Sequence, residues 1–107
     1  MNLELAAASL SRRGLGLADI RQFALQCRNG ASRAGGDAAA LVLLAEKASA
    51  FFERHEGIAM TNESLHDFIH VLADDVTKLR VAAQQGDAAL IEALNAFALA
   101  FSQEMMI

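Results

Sequence analysis

His66 and His70 stand four residues apart, and Asp74 continues the same row. On a helix such residues lie one turn above another on a single face. Two imidazoles so placed could grip one metal ion, with the carboxylate as a third ligand. The segment His66-Asp-Phe-Ile-His70 also sits close to the HExxH spacing of zinc proteases, but Asp67 stands where the general-base glutamate belongs. His66, His70 and Asp74 fall beside or opposite the apolar stripe of their own segment. A solvated polar face is therefore expected, and no metal or cofactor is assigned to it.

The remaining chemistry-bearing residues are sparse. No serine, cysteine or lysine has the setting of a nucleophile, and no strand precedes a glycine-rich phosphate loop. Asp74 and Asp75 are paired only in sequence, because adjacent helical residues point about 100° apart. Cys27 is the single cysteine, so an internal disulfide is excluded. It shares an apolar face with Ile20, Phe23 and Ala24, and Arg28 alone does not make the electropositive setting of a reactive thiol. A buried, inert thiol is expected. His55-Glu56 reads as a polar cap closing a helix. These features together exclude no fold but leave little for catalysis; the expected protein is not an enzyme.

The element that must carry the histidines runs from Thr61 to Gly86. Leu65, Phe68, Ile69, Leu72, Val76, Leu79 and Ala83 recur at steps of three and four, which is one face of a helix. Equivalent patterns predict helices over about 3–13, 17–28, 37–56, 62–84 and 88–105. No segment alternates as a strand would, so the expected fold is an all-α bundle of four or five helices, mostly antiparallel, in one domain spanning 1–107.

The punctuation supports those bounds. Asn2, Asp37 and Thr61 or Asn62 are placed as N-caps, and Asn29-Gly30 as a left-handed stop. Gly86-Asp87 reads as a C-terminal glycine followed by an N-cap aspartate, which would make the last two helices antiparallel neighbours. Gly30 to Gly36 is the one flexible linker. The third helix should turn Leu41, Leu44, Ala45, Ala48, Phe51 and Phe52 inward. The last should do the same with Leu90, Ile91, Leu94, Phe97, Ala98, Phe101 and Met105.

Hydrophobic residues make up 54% of the chain and charged residues 21%, which opposes disorder. The mean hydropathy of +0.28 raises the question of a membrane span. The longest charge-free run in question, Ala93 to Gln103, falls well short of the roughly 18–20 residues a span needs. The N-terminal stretch places its acid before its arginines, the wrong order for a secretory leader. A cytoplasmic protein is expected.

Charge is unevenly shared. Residues 1–36 hold five basic and two acidic side chains, a balance of +3, while residues 37–107 hold four and eleven, a balance of −7. The overall acidity argues against general nucleic-acid binding, which draws most of its affinity from a dense basic face. A nucleic-acid-linked regulator using the basic residues 12–33 is the alternative from a different class. Within it, the run Arg12 to Phe23, RRGLGLADIRQF, resembles the segment that closes the DNA-binding domain of MerR-type transcription regulators. The likeness spans about a tenth of the chain. The winged helix-turn-helix and long dimer coiled coil of that family have no counterpart in it, so no DNA-contacting residue is carried over.

Surplus apolar surface is the more informative anomaly. Val42 and Leu43 sit outside the core arc of the third helix, and Ala89, Ala96 and Leu99 on the outer face of the last; Val71 and Val81 also point away from their stripe. Helices apolar nearly all round imply central burial or a second partner. The expected function is therefore non-catalytic protein binding through Val42, Leu43, Ala89, Ala96 and Leu99, by self-association as a dimer or by covering a hydrophobic surface of another protein. Anti-activators, secretion chaperones and immunity proteins act in this way, and the sequestering anti-activator is favoured among them.

Overall fold

In the computed structural model, which describes residues 1–33 and 36–106, the chain forms five α-helices. They are α1 (Leu3–Leu10), α2 (Leu17–Ala31), α3 (Ala38–His55), α4 (Asn62–Gln85) and α5 (Asp87–Met105). No strand occurs among the described residues. The all-α bundle expected from periodicity is the observed fold.

The first four helices run up and down and close on one another. Met1 packs against Gly30, so α1 and α2 are antiparallel. Arg28 reaches Glu46 and Arg21 lies over Phe52, which sets α2 antiparallel to α3. Lys47 meets Asp75 and Phe51 stacks on Phe68, which does the same for α3 and α4. The ring closes where α1 lies along α4, with Leu3 near Ala83 at one end and Leu10 near Ile69 at the other.

The core lies inside this ring. Leu3, Ala6 and Leu10 of α1 meet Ile20, Phe23, Ala24 and Cys27 of α2. Leu41, Leu44, Ala45 and Ala48 of α3 and Leu65, Ile69, Leu72, Val76 and Leu79 of α4 complete it. The expected stripe of α4 is buried at every one of those five leucine, isoleucine and valine positions, while Phe68 and Ala83 lie at its half-buried margin. Phe51 and Phe52 are likewise half-buried. The most extensive helix interface is α2–α3, although α4 touches α1, α3 and α5.

The fifth helix stands outside the ring, over the seam between α3 and α4. A single residue, Gly86, links it to α4 with φ +120°, a conformation open to glycine. Phe97 lies 5.4 Å beneath the Lys47 ammonium, and Arg54 reaches the Met105 sulfur at 3.3 Å. The successive contacts at 47–97 and 54–105 run in one direction, so α5 is parallel to α3 and antiparallel to α4. Ala93, Leu94 and Phe97 rest on the core from outside, and no residue of α5 is fully buried.

Several boundary expectations are corrected. α1 ends at Leu10 rather than near Arg13, where the Ser11 hydroxyl donates to the Ala8 carbonyl at 2.8 Å and turns the chain. α2 continues through Gly30 to Ala31. Gly30 is a helical position, and a Cβ there would lie 2.6 Å from the Met1 carbonyl oxygen, so its role is close approach rather than a left-handed stop. Asp37 caps no N–H of its own helix; its carboxylate accepts the first-turn N–H of Leu3 at 3.3 Å, tying the start of α1 to that of α3. Asp87 is the first residue of α5, favourable there for the helix dipole, and Gly86 takes the capping position. Of the predicted linker, Ala34 and Gly35 lie outside the described residues. Asn2 and Thr61 cap as expected, accepting from Leu5 and Ser64.

Candidate functional site

The inner side of α5 is made of half-buried Ala89, Leu90, Ala93, Leu94, Phe97, Ala98 and Phe101. Its outer side presents Ile91 at 58% exposure and Leu99 at 61%, with Ala88, Ala96 and Ala100 exposed between and beside them. Glu92, Asn95, Ser102 and Gln103 are the polar residues on that side, and Glu92 carries its only charge between Ala88 and Gln103. Isolated exposed apolar residues are ordinary on a protein surface. A contiguous helical face with two large aliphatic side chains and three alanines is a patch.

One of the residues expected inside, Ile91, is part of this surface, because α5 caps a seam and can bury only a narrow arc. Met105 keeps the inner phase and meets Arg54 of α3, though at the end of the helix it stays 50% exposed. Conversely, Ala89 is half-buried and belongs to the inner side. Leu43 is half-buried too; it lies one turn before Lys47, on the flank of α3 that α5 covers. Val42 is exposed at 45% but precedes Lys47 by five residues, about 140° around the helix, so it does not join the patch. Ala96 and Leu99 are exposed together, as the pattern required.

On the opposite, inner side of α5, its C-terminal end borders a groove of about 250 Å³ between α3, α4 and α5. Phe51, Phe68, Val71 and Phe101 give the groove its apolar lining, while Arg54, Asp67 and Glu104 edge it. Val71 was the surplus valine on α4, and the structure brings it against α5. Val81, exposed at 44%, points elsewhere.

Sequence reasoning missed the group that fixes α5 in place. Lys47 is buried at 9% exposure, and its ammonium donates to Asp75 at 2.7 Å beneath the Phe97 ring. A charge so shielded needs its partner. Lys47 follows Leu44 by three residues, so a lysine at core spacing was the available clue. Asp74 and Asp75 do part company: Asp75 turns in to Lys47, and Asp74 pairs on the surface with Lys78 at 3.0 Å. Donating to the Asp74 carboxylate raises the Lys78 pKa above its ordinary value.

His66 and His70 are exposed and border a different groove, of about 480 Å³, whose opposite wall is the turn after α1 with Arg12 and Arg13. Among the described residues no three histidine, cysteine or carboxylate side chains converge as a metal cluster would. His55 ends α3 by donating Nδ1–H to the Phe51 carbonyl at 2.8 Å. Cys27 is fully buried, and that burial pushes its thiol up to about 12, which keeps it protonated and unreactive. No described helix is long and apolar enough to cross a membrane. No protein-family model, curated protein or solved structure matches the chain.

Proposed function

We propose that the protein is a non-catalytic, protein-binding regulator of the cytoplasm that uses the outer face of α5 to cover a hydrophobic surface of its partner. One observation carries this reading: a nineteen-residue helix, largely apolar, is attached outside a core that is already closed without it. Scaffold stability needs the inner arc of α5 alone. Its outer Ile91 and Leu99 contribute nothing to the core, and their exposure in an unbound monomer is unfavourable. Alanines 88, 96 and 100 leave room for a second helix to approach closely. Sequestration in the manner of an anti-activator fits a folded scaffold with a separate adhesive helix; a secretion chaperone or immunity protein would use the same face.

The nucleic-acid reading of residues 12–33 has less to support it. Arg28 is paired with Glu46 at 3.1 Å. Arg12 and Arg13 lie on the turn before α2 and Arg33 on the turn after it, so only Arg21 and Arg28 share a helix and no recognition helix carries the five.

A photo-crosslinking residue at Leu99, compared with one at exposed Thr77 of α4, tests the proposal in cells. Position 99 should give a discrete adduct, with a partner protein or a second copy of the chain, and position 77 should not. Equal, diffuse labelling at both positions would refute the α5 face as the binding surface.

A further inference from the structure

The groove between the α1–α2 turn and α4 joins residues that the sequence keeps more than fifty positions apart. Arg12 and Arg13 form one wall, and His66 and His70 the other, while Leu10, Leu15, Ile69 and Ala73 supply an apolar floor. We propose that this groove binds an organic phosphate monoester, its phosphate held between the arginine and histidine walls and its apolar portion against the floor. The site is independent of the α5 face.

The donor chemistry fits a dianion. Guanidinium forks match phosphate oxygens in pairs, and each imidazole adds at least one N–H donor. These groups remain available. Arg13 has no salt bridge or hydrogen bond among the described residues, and the Arg12 contact to Asp19, at 3.9 Å, is too long for a hydrogen bond. His66 and His70 likewise donate to no described protein acceptor. An apolar floor between four such side chains does not suit a bare hydrated anion. It suits an anion carrying a hydrophobic group. Two arginines in the wall also oppose a metal cation at the histidine pair, which accounts for that pair more specifically than a merely solvated face.

Acidic side chains lie near the groove. Asp19 at the start of α2 faces Arg12, and on α4 Glu63 and Asp74 stand one turn from His66 and His70, Asp74 being engaged by Lys78. The arginine wall must therefore supply the net attraction for a phosphate.

Proton NMR of the three histidine rings at one fixed pH, titrated with phenyl phosphate and separately with inorganic phosphate, tests the site. His66 and His70 should shift saturably while His55, tied to the Phe51 carbonyl, stays still. Phenyl phosphate should bind more tightly than inorganic phosphate. Arg12→Ala with Arg13→Ala, on an exposed turn, should preserve the circular dichroism and weaken binding by about tenfold or more, the loss of a charge-assisted contact. The proposal is overturned if no saturable shift occurs, if all three histidines move together, if the double variant titrates unchanged, or if phenyl phosphate gains nothing over inorganic phosphate.

Discussion

α4 and α5 are joined by one glycine and are both rich in apolar residues, yet they stand in opposite relations to the core. α4 buries Leu65, Ile69, Leu72, Val76, Leu79 and Ala82; α5, with a higher apolar content, fully buries nothing. The difference is one of position. Once α1 has closed against α4, four helices enclose the interior, and a fifth can only lie over a seam. Packing on the core accounts for the inner arc of α5 but not for Ile91 and Leu99 on its outer side, and the proposed recognition role rests on that remainder.

The sharpest contrast is between Leu72 and Leu94. Leu72 is inaccessible inside the ring, so Leu72→Ala removes buried methyl groups and leaves a cavity, costing about 2–5 kcal/mol. Leu94 rests half-buried on the outside, and Leu94→Ala should cost roughly 1–2 kcal/mol, since solvent and side-chain motion can fill the gap. Urea denaturation of the two variants measures the gap directly. Equal costs would place α5 within the core and remove the distinction.

The next effect concerns how α5 is fixed. Asp75→Ala strands the Lys47 ammonium beneath Phe97 with little access to water. A loss of about 2–3 kcal/mol is expected, below the value for a fully buried pair because both side chains keep some exposure. Amide exchange should show α5 opening first. A uniform loss of protection over all helices would mean that the ion pair serves the whole bundle rather than the α5 seam.

Cys27 reports on the interior of the ring. Burial raises its pKa from 9.0 to about 12, so the folded protein keeps the thiol proton at pH values where the unfolded chain releases it. The stabilisation from the neutral thiol is complete below pH 9 and is lost as pH rises toward 12, by about 1.4 kcal/mol per pH unit. At pH 10 the wild type should thus have lost about that much relative to Cys27→Ala, compared with the same pair at pH 8. Parallel pH profiles would show that the thiol is not sequestered.

The sequence contained most of the fold. The steps of three and four through Leu65–Leu79 and Leu41–Ala48 set both the helices and their inward faces, since local periodicity and the demand for burial act on the same residues. Which helices surround which was not written locally. Ile91 borders the apolar stripe of α5, and only the closure of α1 on α4 decides that it stays outside. Ala89 and Leu43 were misplaced for the same reason. The patch itself was legible at Ala96 and Leu99, because they oppose the inner stripe, but Val42 was grouped with it by composition and stands apart in space. The pairing of Lys47 with Asp75, and the placing of Arg12 and Arg13 across one groove from His66 and His70, join distant parts of the chain and depend on how the helices pack.

The smallest expected change in stability accompanies the most direct test. Ala96 is exposed at the middle of the outer face of α5, and arginine is a good helix former, so Ala96→Arg should alter folding stability by no more than about 0.5 kcal/mol. A docked partner would instead bury an unpaired guanidinium at the point of closest approach. Wild type and variant should be compared by thermal unfolding and by size-exclusion chromatography with light scattering, in the presence of whatever protein the Leu99 crosslink identifies. The account predicts matching unfolding curves and loss of the complex in the variant alone; a folded Ala96→Arg protein that still forms the complex at wild-type affinity would contradict it.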